Sequence, residues 1–222
     1  MRVVLLEHTP NPDEVVAAAA RLCYSASDIG TIRKRLGSSK ARDLVLKLLN
    51  LGHESPLEHV SFTFGIEDVS RALSHQLVRH RIASYSQQSQ RYVKMGGFSY
   101  VIPPSIAENI EARQKFEQLM ANLETSYVEL LKAVPAEDAR YILPNACTTK
   151  LIATFNARSL YNFFSLRLCT RAQWEIRALA WEMLKLVKET APAIFSAAGP
   201  DCWGPQGCGE GEMSCGQPPE RI

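Results

Sequence analysis

No aspartate or glutamate occurs from Val69 to Ala107, nor again from Ala139 to Trp174. The first acid-free stretch carries Arg71, Arg79, Arg81, Arg91 and Lys94, and the second Arg140, Lys150, Arg158, Arg167 and Arg171, so each holds uncompensated positive charge. Both attract anions, and a fold that brought them together would focus a field suited to a phosphorylated ligand. Also missing is a Gly-x-Gly-x-x-Gly turn between a strand and a helix, and any Walker-type lysine loop. The cluster of Gly204, Gly207, Gly209 and Gly211 follows no strand and opens no helix. A nucleotide would have to be gripped by arginines, amides and helix ends instead. No apolar run approaches the roughly 20 residues that cross a bilayer. Glu7 falls where a signal peptide would still be apolar, and a cytoplasmic location is expected. A net charge of +2 argues against a nucleic-acid binder, a class whose domains usually show a pI above about 9.

What is present is an ordinary globular composition: 222 residues, 46% hydrophobic and 22% charged, without internal repeats. The expectation is one α+β domain over residues 1–200, with a mixed or antiparallel sheet packed by long helices, followed by a Cys/Gly-rich tail over 201–222. A strand is expected at Arg2–Leu6, then a helix from Pro12 to about Cys23 capped by Asn11. A second helix is expected over Ser39–Leu51, with Gly52 placed to end it. Ser61–Phe64 alternates as a strand, and Ser70 can cap a helix running toward Arg79. The segment after Arg79 shows neither period and reads as an irregular connection, with extended chain at Tyr92-Val93 and Phe98–Ile102. Ser105–Val134 is expected as one helix whose stripe is Phe116, Leu119, Met120, Leu123, Tyr127, Leu130, Leu131 and Val134. A helical turn at Ala136–Ile142, a strand at Thr148–Phe155, and helices at Ala157–Cys169 and Arg171–Thr190 complete the expectation.

The densest chemistry lies in Arg79-His80-Arg81-Ile82-Ala83-Ser84-Tyr85-Ser86-Gln87-Gln88-Ser89-Gln90-Arg91. Planar guanidinium forks suit phosphate, and serine and glutamine suit the amide edges of a base. Arg79-His80-Arg81, seven residues, then Ser89 and Arg91 resembles the signature of the flavin-dependent thymidylate synthases. His53-Glu54-Ser55-Pro56-Leu57-Glu58-His59 is similar to that family's upstream loop. Asn156-Ala157-Arg158-Ser159-Leu160, Asn162, Leu166-Arg167 and Gln173-Trp174-Glu175-Ile176 are similar to its downstream block. Three separated motifs in the right order outweigh any one pattern.

The resemblance implies reductive methylation of dUMP to dTMP, with 5,10-methylenetetrahydrofolate as carbon donor and NADPH-reduced FAD as hydride source. It also implies a homotetramer whose sites combine several subunits. It places His53, Ser55, Arg79, His80, Arg81, Gln87, Asn156, Arg158 and Asn162 on the flavin. It places Gln76, Arg79, Gln87, Gln88, Ser89, Gln90, Arg91, Arg140 and Arg167 around dUMP. Arg167 is the implied catalytic group, a fixed cation against the uracil ring that stabilises charge from loss of the N3 proton. Gln87 stands where some members carry Glu, which leaves it a polar contact rather than a base. Ser89 has no legible Ser-His-acid triad around it, and the resemblance implies binding. A helix cap explains Asn156 almost as well as a flavin contact. His53 and His59 lack metal spacing and no metal is assigned there, while His8, His59 and His75 read as structural. Cys23, Cys147 and Cys169 read as small buried thiols. Cys202, Cys208 and Cys215 match no standard zinc spacing and would need a fourth ligand from elsewhere, so the expectation is a disordered tail or one docked on a neighbouring subunit. A flavin reductase lacking methyl transfer and a nucleic-acid-binding module are the alternatives.

Overall fold

Phe62, Phe64 and Ile66 alternate with more polar neighbours, a period-2 pattern that buries one face of a strand. A computed structural model of the chain describes residues 1–221 and runs this strand to Ser70, well beyond Phe64. In chain order the elements are β1 (Arg2–His8), α1 (Pro12–Leu22), α2 (Ile29–Arg35), α3 (Ser38–Asn50), a 3-10 helix (Ser55–His59), β2 (Ser61–Ser70), α4 (Arg71–Leu77) and β3 (Ala83–Gln87). They continue with α5 (Pro104–Ala107), α6 (Ile110–Leu130), α7 (Ala136–Ala139), a 3-10 turn (Arg140–Ile142), β4 (Thr148–Asn156), α8 (Ala157–Arg167) and α9 (Trp174–Thr190). Short 3-10 turns at Asp201–Trp203 and Gly211–Met213 lie in the tail. The sheet is four-stranded and antiparallel in the order β1-β2-β4-β3, so the mixed helix-and-sheet expectation holds. Among the described residues no helix is long and apolar enough to cross a membrane.

Two compact units are distinguishable by internal packing. The first comprises Met1–Arg2, Ile66–Arg79 and Tyr85–Ile152; the second comprises Val3–Gly65, His80–Ser84 and the chain from Ala153 onward. In the first, Phe98, Met120 and Cys147 form the buried centre, with Tyr100, Phe116 and Leu123 packed around them. Tyr127 is fully buried there, and its hydroxyl accepts from the Met95 amide at 3.1 Å. In the second, α1 packs on α2 and α3, and α8 packs on α9 and on the Ser55–His59 turn. Its core is aromatic: Phe195 meets Phe62 edge-on at 5.2 Å, and Phe163 packs on Phe155 and Phe164, each at 5.7 Å.

Several local expectations are corrected. Asn11 occupies the cap position of α1 in a left-handed conformation, and its side chain makes no cap bond, because Pro12 fixes the entry to the helix. Ala83–Gln87 is a strand: backbone pairing, not apolar alternation, holds it, with the Gln88 amide donating to the Lys150 carbonyl at 3.0 Å. Tyr92-Val93 lies in a turn closed by the Val93 amide on the Ser89 carbonyl. The long helix is broken into α5 and α6, because Asn109 caps a new start through its side chain to the Ala112 amide. Along it Met120 and Tyr127 are buried, whereas Leu119, Leu130 and Val134 are exposed, so the apolar stripe is wider than its packed surface. The last helix starts at Trp174 because Gln173 caps it, leaving Ala172 outside. Cys23 is exposed rather than buried, and Cys169 only half-buried.

The tail packs on its own chain. Arg171 holds Glu210 at 2.7 Å and the Met213 carbonyl at 2.8 Å, and Thr170 donates to the Gln217 carbonyl at 2.8 Å. Trp203 packs tilted against Trp181, ring centroids 5.7 Å apart, and over Gly199, where an added Cβ would lie 2.0 Å from its ring. Gly199→Ala is therefore expected to push the indole off its seat at about 1–3 kcal/mol of local overpacking. Limited proteolysis would then cut the tail faster than in the native chain.

Candidate active site

α8 organises the second unit's functional groups because its ends are chemically fixed. Asn156 caps it, accepting from the Ser159 amide at 2.8 Å, while Leu160, Phe163 and Phe164 bury the inward face. Arg167 is the last residue, where the helix dipole favours a cation. Arg158 sits in the first turn, about 14 Å along the axis at 1.5 Å per residue.

Arg167 Nε donates to His80 Nε2 at 3.0 Å, so the imidazole accepts there and carries its proton on Nδ1. His80 is buried and lies edge-on to Phe163, ring centroids 4.9 Å apart. Burial first, and the Arg167 charge second, push its pKa down from 6.5 to about 4. Burial also lowers the Arg167 pKa, yet a guanidinium stays protonated at neutral pH. The pair is thus a neutral acceptor steering a fixed cation, and no carboxylate is hydrogen-bonded to that cation among the described residues. A pH dependence follows. Above pH 6.5, His80 is neutral in both folded and unfolded chains and contributes nothing. Between pH 6.5 and about 4 the unfolded chain binds a proton that the folded one refuses, so stability falls by up to about 3 kcal/mol. Chemical denaturation of the wild type against His80→Asn should show this acid loss in the wild type alone.

The remaining flavin candidates of the second unit divide by environment. His53, Ser55, Arg81 and Asn162 are exposed. Arg158 is not free: it pairs with Glu58 at 2.5 Å and Glu54 at 3.4 Å, and both carboxylates belong to the upstream loop. These exposed pairs are weak and readily exchanged for a stronger anion.

In the first unit, Arg91 pairs with the Glu137 carboxylate at 3.0 Å, and Arg140 Nε donates to the Glu137 carbonyl at 3.1 Å. Two arginines expected around dUMP are thus brought to one residue. Ser89 Oγ accepts from the Arg91 amide at 3.2 Å, which sets the turn, and Gln87 Nε2 donates to Thr149 Oγ1 at 3.1 Å. Gln76 ends α4 half-buried, Arg79 is exposed, and Gln88 and Gln90 are half-buried. Cys147 is buried in this unit, and its thiol pKa is raised by that burial.

Sequence reasoning missed the residues that hold the site residues: Phe163 against His80, Thr149 on Gln87, Glu137 between two arginines, and Glu54 and Glu58 on Arg158. Only the last two carried a signal, since they stand inside a motif already singled out.

Over residues 4–193 the sequence matches the family described as thymidylate synthase complementing protein. It is similar along nearly its whole length to curated proteins named flavin-dependent thymidylate synthase. That of Geobacter sulfurreducens is 56% identical over 99% of this chain and 96% of its own. That of Clostridium tetani is 51% identical over 99% and 95%, and that of Pyrococcus furiosus 43% over 91% and 86%. With these matches spanning all three motifs, the chain belongs to the thymidylate synthase complementing protein family, a family of enzymes.

Proposed function

We propose that this chain converts dUMP to dTMP, transferring the methylene carbon of 5,10-methylenetetrahydrofolate to C5 of the uracil and releasing tetrahydrofolate. The observation that carries the reading is the Arg167–His80 pair, a charged guanidinium held by a neutral, buried imidazole. FAD, reduced by NADPH, supplies the hydride that completes the methyl group. The donor set of the second unit fits such a cofactor: Arg81 and Arg158 suit a diphosphate, and Ser55, Asn162, His53 and the free amide hydrogens of Asn156 suit ribose and ring edges. In the first unit Arg91 and Arg140 take the dUMP phosphate in exchange for Glu137, and Gln76, Arg79, Gln87, Gln88, Ser89 and Gln90 complete the nucleotide's contacts. Arg167 stabilises the negative charge left when N3 loses its proton, which makes C5 nucleophilic. His80, acting as acceptor, fixes the direction of that guanidinium. No cysteine attacks the ring, in keeping with the buried, protonated Cys147.

We further propose a homotetramer with shared sites in the cytoplasm, built from a catalytic domain over 1–200 and a tail over 201–222; the exposed apolar residues Leu119, Leu130 and Val134 favour burial against a second copy. The test is anaerobic turnover of dUMP with FAD, NADPH and methylenetetrahydrofolate. Formation of dTMP that stops when any one is omitted is the expected result. NADPH oxidation by a yellow protein without dTMP would assign a flavin reductase instead, and a colourless protein with salt-dependent nucleic-acid binding the third reading.

A further inference from the structure

Three cysteines fall within fourteen residues of the tail, and their spacing alone makes no metal site. The fold supplies what the spacing lacks. Cys169, two residues past Arg167, lines the same cavity of about 600 Å³ as Cys202, Cys208 and Cys215. We infer that Cys169, Cys202, Cys208 and Cys215 form a tetrathiolate site for a zinc-class divalent ion, which fastens the tail to the helix end that carries Arg167. The inference does not depend on the reaction proposed above.

Four observations favour a metal over unrelated thiols. First, the Gln217 amide donates to Cys215 Sγ at 3.4 Å across Gly216, whose φ is 64°. A left-handed glycine turns the amide two residues on back toward the sulfur, an outer-shell contact that stabilises a thiolate ligand. Second, the four thiols border the same cavity, so that as thiolates Cys169, Cys208 and Cys215 would each repel Cys202. A divalent cation reverses the sign of that mutual repulsion. Third, Arg167 and Arg171 line the same cavity, and with Arg171 held by Glu210 at 2.7 Å it is the Arg167 guanidinium that offsets the net negative charge of an ion with four thiolates. Fourth, the tail is mostly exposed, with Trp203 as its aromatic anchor. A segment with so little core gains order from a metal staple.

Among the described residues no three such groups already stand in coordination geometry. The thiols surround the cavity rather than a point, and closure requires side-chain rotation with adjustment at Gly204, Gly207, Gly209 and Gly216. Each bound thiol loses its proton to solvent, so uptake is accompanied by acidification and weakens at low pH. Four sulfurs in a tetrahedron suit a single zinc ion, and acid-labile sulfide would mark the other thiolate centre, an iron–sulfur cluster.

The experiment uses the full chain, expressed with zinc and purified under reducing conditions without chelator. Elemental analysis is expected to give about one zinc per chain, released to a chromogenic chelator only after thiol blocking. Cobalt in its place is expected to show the intense visible bands and sulfur-to-metal charge transfer of a tetrahedral thiolate centre. Cys169→Ser and Cys215→Ser should each weaken the site at least 10-fold, whereas Cys23→Ser, outside the cavity, should keep it. A wild type that holds no zinc while all four thiols react freely would overturn the inference. So would zinc retained in both serine variants, a disulfide between tail cysteines, or iron with acid-labile sulfide. The wild-type measurements decide the matter even if a variant fails to fold.

Discussion

Arg167→Ala is expected to lower the rate of dTMP formation by about 10²-fold or more, since a preorganised charge aimed at a developing anion is commonly worth ~3 kcal/mol of barrier. The geometry makes the effect specific to charge and direction. Arg167 Nε is committed to His80 at 3.0 Å, which leaves the outer guanidinium nitrogens to face a ligand. Arg167→Lys keeps the charge but loses the planar fork and the bond to His80, so it should recover only a small part of the rate. A merely structural arginine would behave differently: its loss would lower stability and leave turnover per folded molecule intact. A second readout separates the cases. Without the Arg167 charge, the His80 pKa should rise from about 4 toward its ordinary 6.5, although burial, the larger cause, keeps it below that value. Titration of the imidazole by NMR in Arg167→Ala measures this directly.

Phe163→Ala is the substitution expected to cost most stability, about 3–5 kcal/mol, a large share of what a domain of this size possesses. The ring is fully buried and packs against Phe155, Phe164 and the edge of His80. Removing it leaves a cavity lined by three rings carried on separate segments, Phe155 on β4, Phe164 on α8 and His80 beyond α4, so collapse recovers little. Phe163→Leu keeps most of the volume and should cost roughly 1–1.5 kcal/mol. Denaturant unfolding followed by circular dichroism measures both. The alanine variant should also lose turnover beyond its loss of folded protein, because His80 no longer has a wall to keep its acceptor nitrogen on Arg167.

These two residues show what was legible in the sequence. Arg167 is identifiable because it stands in a motif and in an acid-free stretch, and Phe163 reads only as one apolar position on a helix. Elements whose ends are set by local chemistry were readable: Ser70 caps α4 through the Leu73 amide, Asn156 caps α8, and Gly52 ends α3 at φ 69°. Elements set by distant pairing were not. β3 is made of Ala, Ser, Tyr and Gln, carries no apolar alternation, and exists because β4 offers it a partner. α2 buries only Ile32, so its helical period is faint, although Asp28 accepting from the Thr31 amide was a cap signal available in the sequence. Within the proposed site, residue types suit an anionic ligand, whereas their partners came from far along the chain. Glu137 lies 46 residues from Arg91, and His80 lies 87 residues from Arg167, separations that no local pattern spans.

An anaerobic single turnover asks whether hydride loss from the flavin and methylation of dUMP are one reaction. The flavin-loaded protein is reduced, freed of excess reductant, and mixed with dUMP and methylenetetrahydrofolate while flavin absorbance and dTMP are followed together. Flavin oxidation and dTMP formation are expected to proceed in a 1:1 ratio and to slow together in Arg167→Ala. Flavin oxidation without dTMP, or dTMP formed while the flavin stays reduced, would contradict this coupling.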